Sequence, residues 1–434
     1  MSESTRLVTD RRDMRALRRR TAAALSVTAC LLAFPAAQSV AEQRQTTSEG
    51  TERASSGTVY RIADTDGSTR TEIQRTGALV LSVRGDTAFV QANGSQAERL
   101  RSAGLSLERA SATTGRSSPG RADPGEFPAE DSDYHTYSEM LTELDEAASQ
   151  HPDIVDRTSV GRSAEGREIP AVKISDNAGS DEDEPEVLFT CNQHAREHLT
   201  AEMCLHLLKR YTDNYGSDQA ISDMVDGREI WVVPMVNPDG VVHDISGSDY
   251  LGWRRNRESN PVDLNRNWGH KWGCCGGSSG DPNSSTYRGP EAFSAPETAS
   301  VRDFVNSRVV DGTQQITAHI DFHTFSELVL WPYGYTTADN APGMTREEYR
   351  RFADVGEAMA ATNGYTPMQS SDLYVTDGSV NDWMWAEHDI LSFTFEMYPG
   401  SGGSDGFYPP DEVIPRETSR NDEAVSILLD ESGR

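Results

Sequence analysis

The chain has 434 residues, with 40 basic against 69 acidic side chains and a formal net charge of −29. That balance excludes a nucleic-acid partner or an anionic membrane surface, since both would repel it. Hydrophobic residues make up 36% and aromatics 8%, which excludes wholesale disorder and allows a real core. The length suits two or three segments rather than one typical domain. Past the N-terminus no run of ~20 apolar residues occurs, so a multi-span membrane protein is excluded.

The first 41 residues read as an address. Residues 11 to 20 (RRDMRALRRR) are positive, residues 21 to 34 are apolar, and AAQSVAEQ follows with small residues Ser39 and Ala41. This is the three-part pattern of a secretory signal peptide over residues 1–41, cleaved after Ala41. The expected product is extracellular, with no stable membrane anchoring. Export sets an oxidising context, so the four later cysteines, Cys191, Cys204, Cys274 and Cys275, are expected to form disulfides. Three pairings are open. If the adjacent Cys274 and Cys275 bond to each other, Cys191 and Cys204 form the other pair.

Residues 42–110 hold a polar lead and then short periodic runs. VYRI, ALVLSV, TAFVQA and LSLERA read as strands, and SQAERLRSAG as a helix ending at Gly104. Together they predict a small α/β unit, marginal on its own. Residues 111–129 are rich in Ser, Gly and Pro and contain two arginines, a linker composition open to nicking. A small unit, a cleavable linker and a large domain match the layout of a pro-enzyme. An ordinary two-domain protein has the same layout, and organisation alone does not decide.

Residues 130–434 read as one α/β domain. YHTYSEMLTELDEAASQHP is helical, and EVLFTC is an apolar run of the kind buried on both sheet faces. Leu199, Met203, Leu207 and Tyr211 recur every four residues on a helix. EIWVVPMV, ITAHIDFH, LVLWPYG and ILSFTFEMY predict further strands. Ser294-Ala295-Pro296-Glu297 has the form of a capping box with proline near N1, opening a helix through Arg308. Strands alternating with helices predict three layers, a mixed central sheet between helices.

The chemistry gathers at Gln193-His194-Ala195-Arg196-Glu197-His198, between a buried strand and a helix. Ligand sites of open α/β sheets lie at such strand ends. His194 and Glu197 form an H-x-x-E pair, and residues three apart on a helical turn share a face. Catalytic zinc needs a third protein ligand and an open position. His319 or His323 could supply that ligand by residue type, since both lie on one face of a strand together with Asp321. By spacing alone His198 could replace Glu197. The residues alone leave these choices open.

QHAREH, NPDG, WRRNR, VDLNRNW, DFHTFSELVLWPYGY, LYVTDGSVNDW and FTFEMY follow one another in a familiar order. Over about residues 131 to 430 the chain resembles the zinc metallocarboxypeptidases of the carboxypeptidase A/B family. It is most similar to the secreted bacterial carboxypeptidase T branch. The resemblance implies His194, Glu197 and His323 as zinc ligands and Asp263 as the carboxylate orienting the first zinc histidine. It implies Glu396 as the catalytic carboxylate and Arg254 as the group stabilising the tetrahedral oxyanion. Asn265 and Arg266 match the clamp for the substrate's terminal carboxylate. Tyr374 matches the tyrosine that closes over the substrate, and Arg196 an auxiliary subsite arginine. His319 then reverts to an ordinary strand histidine.

The specificity position is Asn381, with Thr394 and Ser379 on other pocket-lining positions. This neutral polar floor implies broad specificity, favouring apolar C-terminal residues and tolerating basic ones. The expected partners are peptide or protein C-termini and, before activation, the chain's own pro-segment as inhibitor. The T branch binds calcium as well, and the acidic run DEDEPE (181 to 186) suits that ion, although a solvated loop explains the run equally. Two rival readings are an amidase or cell-wall peptidase on the same scaffold and a catalytically silent peptide-binding module. The clamp residues count against the first, and the complete catalytic set against the second.

Overall fold

The computed structural model describes residues 57–110, 125–402 and 404–433. The expected signal peptide and most of the expected linker lie outside the described residues. Glu52–Arg434 forms one compact unit.

The N-terminal part is a four-stranded antiparallel sheet with two helices. Its elements are β1 (Thr58–Ile62), α1 (Gly67–Arg75), β2 (Leu79–Arg84), β3 (Thr87–Ala92), α2 (Gly94–Ser102) and β4 (Glu108–Arg109). The order across the sheet is β2-β3-β1-β4. The run LSLERA, expected as a full strand, pairs only at Glu108 and Arg109, both exposed.

The larger part opens with α3 (Tyr137–Gln150), β5 (Val155–Arg162), β6 (Glu168–Ile174) and β7 (Glu186–Cys191). Then come α4 (Leu199–Asp213), α5 (Gln219–Val225), β8 (Glu229–Val233), α6 (Pro238–Asp244) and α7 (Pro296–Ser307). A two-stranded hairpin, β9 (Val309–Val310) with β10 (Thr313–Gln314), precedes β11 (Ile316–Thr324) and β12 (Leu328–Trp331). The chain finishes with α8 (Arg346–Asn363), β13 (Thr366–Gln369), α9 (Ser370–Leu373), α10 (Val380–His388), β14 (Leu391–Met397), α11 (Ile414–Ser419) and α12 (Asp422–Ser432).

Eight strands form one mixed sheet in the order β13-β12-β14-β11-β7-β8-β6-β5. The middle four, β14, β11, β7 and β8, run parallel. From β7 the chain steps to β8 on one side, and the later β11 pairs on the other side of β7. The boundary between β7 and β11 is thus a topological switch point, where side chains at the strand ends open a crevice. Helices pack on both faces, as expected. One face carries Val187, Phe189, Ile320, Phe322, Phe393 and Phe395 in a large core with α4, α8 and α12. The other packs Leu188, Trp231 and Val233 against α7 and α10.

Two further local expectations fail. The run EIWVVPMV stops as a strand at Val233, because Pro234 has no N–H to donate. The box at Ser294 does not form: Ala295 is the N-cap of α7 and makes no side-chain cap bond. Glu297 is buried instead, accepting from the Ala164 N–H and Asn256 Nδ2 at 2.9 Å each, while Asn267 Nδ2 donates to Ser294 Oγ. Tertiary partners took both side chains. A capping box does open α3, where Thr136 and Glu139 bond reciprocally.

Candidate active site

Three neighbouring strands deliver the site. Immediately after β7 the chain turns through 193–198 before α4 begins. The disulfide Cys191–Cys204 ties the end of β7 to α4 across this turn. His194 and Glu197 sit within it, and His323 stands near the end of β11. The Nδ1 atoms of both histidines face the Glu197 carboxylate, at 3.0 and 2.9 Å. All three side chains are buried and their ligand atoms lie within 4.8 Å of one another. Two imidazole nitrogens and one carboxylate make a donor set that suits zinc. The fit extends further, because each Nε2 is engaged by a carboxylate: His194 by Asp263 at 3.0 Å and His323 by Asp321 at 2.5 Å. That fixes the tautomer in which Nδ1 offers its lone pair.

His198, the alternative by spacing, turns away and bonds Asp244 at 2.9 Å among Phe127, Tyr250 and Tyr408. His319 lies within the sheet layer, between Thr190 Oγ1 at 2.9 Å and Ser392 Oγ at 2.8 Å. Burial pushes its pKa down to about 4, so it is a neutral hydrogen-bonding group.

Glu396 pairs in register with His323 on the adjacent parallel strand β14. Burial pushes its carboxyl up to about 7; Glu197 acts in the same direction, while His323 and Arg254 oppose it. Arg254 grips Asp263 through Nε and Nη2 at 3.1 and 2.9 Å, and its Nη1 reaches His194 Nδ1 at 3.1 Å. Asp263 therefore holds both the first histidine and this arginine.

Asn265 and Arg266 lie on a short 3-10 turn, Leu264–Arg266, capped by Asp263. The Asn265 Oδ1 accepts from Val380 N–H at 3.0 Å, and its Nδ2 is 3.3 Å from His323 Nε2. Arg266 is held by the carbonyls of Gly277 and Asn265. Gly277 belongs to the loop carrying the second disulfide, Cys274–Cys275, and that loop hangs on Asp377 through the N–H groups of Cys275 and Gly277. At Gly277 a Cβ would lie 2.4 Å from Thr376 Cα, so the close approach requires glycine. Asn381 Nδ2 donates to Thr394 Oγ1 at 2.8 Å. Arg196 stacks its guanidinium 3.7 Å from the Phe407 ring centroid. Its Nε and Nη2 have no hydrogen-bond partner among the described residues, and burial lowers its pKa to about 10.

One hollow is lined by His194, Arg196, Glu197, Arg254, Asn265, Arg266, Tyr374, Ser379, Asn381, Thr394 and Glu396. His323 and Asp263 stand behind its wall. The fold thus brings together every site residue expected from the sequence. The hollow is also lined by Leu79, Val80 and Leu81 of β2. Leu79 and Leu81 pack with Phe325 and Phe407. Sequence reasoning expected the pro-segment to inhibit but not that these residues do the covering, because alternating leucines in a small unit look like its own core.

Sequence reasoning placed His319 and Asp321 on one strand face and Thr394 in the pocket, but missed Thr190 on β7 and Ser392 on β14, which join them in one buried polar row. Strict alternation was the available signal. In IDFH and SFTFE every second residue is polar, which marks a polar stripe inside a buried sheet.

The acidic run at 181–186 divides. Glu186 is buried and paired with Arg308, and the exposed Asp181 pairs with the same arginine. Asp176, Glu182 and Glu184 bring carboxylate oxygens within 4.8 Å of one another. Burial and mutual repulsion raise the pKa of Asp176 and Glu184.

A His–Glu–His cluster at a sheet switch point, beside the half-buried carboxylate Glu396 and an arginine, defines a metal-dependent hydrolase. Residues 140–424 match the family described as zinc carboxypeptidase. A zinc carboxypeptidase of Saccharothrix mutabilis subsp. capreolus is 46% identical over 384 residues, covering 86% of this chain and 88% of that protein. Bovine carboxypeptidase A1 is 32% identical over 292 residues, 65% of this chain and 66% of the other. The chain belongs to the zinc carboxypeptidase family. In fold it is similar to the carboxypeptidase A of Helicoverpa armigera, with a TM-score of 0.71 at 24% identity, covering 87% of this chain and 98% of that one.

Proposed function

We propose that the chain is a secreted zymogen. Residues 1–41 direct export, residues 42–110 mask the site, the linker 111–129 is cut, and the released enzyme removes C-terminal residues from peptides. The observation that carries the reading is one hollow in which His194 and Glu197 of the His–Glu–His cluster, Glu396, Arg254 and Asn265-Arg266 face one another beneath Leu79 and Leu81. Among the described residues no helix is long and apolar enough to cross a membrane.

His194, Glu197 and His323 would hold zinc. Zinc bound there would supply Lewis acidity, to acidify water and polarise the scissile carbonyl. Glu396 is the general base that takes the proton from water and hands it to the departing amine. Its raised pKa suits both halves of that task. Arg254, fixed by Asp263 along one edge, offers Nη1 to the oxyanion that develops on the carbonyl. Asn265 and Arg266 bind the terminal carboxylate and thereby select the chain end. Tyr374 closes over that end. Arg196, with two unused nitrogens, takes a carbonyl further up the peptide.

The side-chain pocket ends on Asn381 and Thr394, which bond each other and carry no charge. We infer broad specificity, apolar residues first and basic ones tolerated. The Asp176–Glu182–Glu184 cluster is the candidate for calcium, whose preference is for oxygen donors.

The test is hydrolysis of blocked dipeptides ending in Phe, Leu, Arg or Glu by trypsin-nicked protein, with and without chelator and added zinc. Chelator-sensitive release that stops when the terminal carboxylate is amidated supports the reading. Equal cleavage of the amidated peptide would favour an amidase. No release from zinc-replete, nicked protein would leave a peptide-binding role.

A further inference from the structure

We propose that Asp321 is a positioning residue that holds the zinc ligand His323 through Nε2, as Asp263 holds His194. The inference rests on the zinc-peptidase reading above and concerns a residue to which neither the sequence motifs nor that reading gives a task.

Asp321 precedes His323 by two residues on β11, so both project from the same face of the strand. It is fully buried, where an ionised carboxylate is costly unless its oxygens are bonded. All of its bonding is directed. His323 Nε2 and Gln193 Nε2 donate to Oδ2, each at 2.5 Å. Thr190 Oγ1 donates to Oδ1 at 2.6 Å. Thr190 is in turn fixed by His319 Nε2 at 2.9 Å, and His319 Nδ1 by Ser392 Oγ. The carboxylate is thus locked by three donors from three separate places: β7, the turn after it, and β11.

The consequence falls on His323. With its Nε2–H given to Asp321, Nδ1, which lies 2.9 Å from Glu197 Oε2, is the nitrogen left for the metal. A carboxylate partner fixes the ring, selects the tautomer and raises the basicity of the ligating nitrogen. The two zinc histidines therefore have matching support from two different carboxylates. Their rings lie 4.6 Å apart between centroids, so a small rotation of either would separate the donor atoms. The same hydrogen-bonded row continues through Ser392 to Asn381 and Thr394. The residue that supports the metal and the floor of the specificity pocket belong to one buried network.

A role confined to core stability makes a different prediction, and metal affinity separates the two. The full chain is compared with Asp321→Asn and Thr190→Val. Zinc affinity is read by competition with a chromophoric chelator, ligand geometry by the visible spectrum of the cobalt(II)-loaded protein, and folding by the melting temperature without metal. Asp321→Asn is expected to weaken zinc by about tenfold to a hundredfold and to shift the cobalt bands. Thr190→Val leaves Asp321 two of its donors and is expected to weaken zinc several-fold. A folded Asp321→Asn variant with wild-type zinc affinity and an unchanged cobalt spectrum would overturn the proposal, whatever its melting temperature. If that variant does not fold, Thr190→Val decides, and unchanged affinity there overturns it. Wild-type protein that binds no zinc and cleaves no dipeptide would instead sink the carboxypeptidase reading itself.

Discussion

The Arg70 guanidinium donates through Nε to the carbonyl of Leu373 at 2.7 Å, and through Nη2 to that of Asp372 at 2.7 Å. Its neighbour Thr71 accepts from the Val375 N–H at 2.9 Å. Together these bonds fasten the backbone on both sides of Tyr374. Arg70 is itself buried, and Leu328, Leu330 and Leu373 share an apolar cluster with Ile73 and Val80. The N-terminal part thus grips the segment that carries Tyr374, the residue proposed to close over a substrate. Among the described residues, no carboxylate of the N-terminal part lines the hollow; those that do line it are two leucines and a valine.

Arg70→Ala is expected to loosen this grip. Bonds from a charged group are worth about 1.5–3 kcal/mol each when a buried partner is left behind, so a tenfold or greater gain in the open population is expected. The readout is hydrolysis of a small blocked dipeptide by the uncut chain. The nicked enzyme, freed of its N-terminal part, should be unaffected. An uncut variant no more active than wild type would show that Arg70 does not control access.

Glu396→Gln should lower kcat by roughly 10²–10⁴-fold, the range for loss of a positioned general base, and leave zinc stoichiometry at one per chain. The pH profile carries a second check. Burial pushes this carboxyl up to about 7, and the charge of a bound cation works in the opposite direction. The ionised form accepts the proton, so kcat/KM should rise with pH through an acid limb at or below about 7. A limb lying above that value would argue against Glu396 as the base.

Much of the scaffold was legible because apolar runs such as EVLFTC and ITAHIDFH announce buried strands. The His194–Glu197 pair was legible because three residues of one turn suffice to bring two ligands together. The third ligand was not legible from spacing, since His319 and His323 share a strand face and differ only in height along it. Motif order selected His323, and the fold supplies the reason: β11 ends level with the turn after β7. Asp263 lies 69 residues from the histidine it holds, and no local rule spans that distance. Motif order placed it where physics could not. The cover by Leu79 and Leu81 was illegible for another reason: burial against a second unit and burial within one's own core leave the same alternation.

Removing the Cys191–Cys204 bridge by a double change to alanine should cost about 3 kcal/mol on the loop-entropy account, given its separation of 13 residues. Both cysteines are fully buried, and the closed segment contains His194 and Glu197. Guanidinium unfolding of the zinc-free protein measures the stability loss, and chelator competition should show weaker zinc binding. A double variant with an unchanged unfolding midpoint would mean that packing alone holds the turn.

Asn381→Asp should convert the pocket floor. The side chain is buried, and both of its polar atoms face hydroxyl groups, Thr394 at 2.8 Å and Ser392 at 3.2 Å. Either hydroxyl can donate to a carboxylate, so aspartate would be accommodated in ionised form. A fixed negative charge at the end of a desolvated pocket attracts a guanidinium or ammonium far more strongly than it would in water. It leaves a buried, unpaired charge when the substrate side chain is apolar, which costs binding. Both effects move the ratio of kcat/KM for C-terminal Arg over Leu in the same direction. We expect a rise of roughly tenfold or more, with most of the change for Leu appearing in KM. In the unchanged enzyme the two substrates should lie within roughly a hundredfold of each other, as suits a neutral floor. If Arg already exceeded Leu by more than that, or if the substitution left the ratio where it was, the charge-sensing position would lie elsewhere in the pocket.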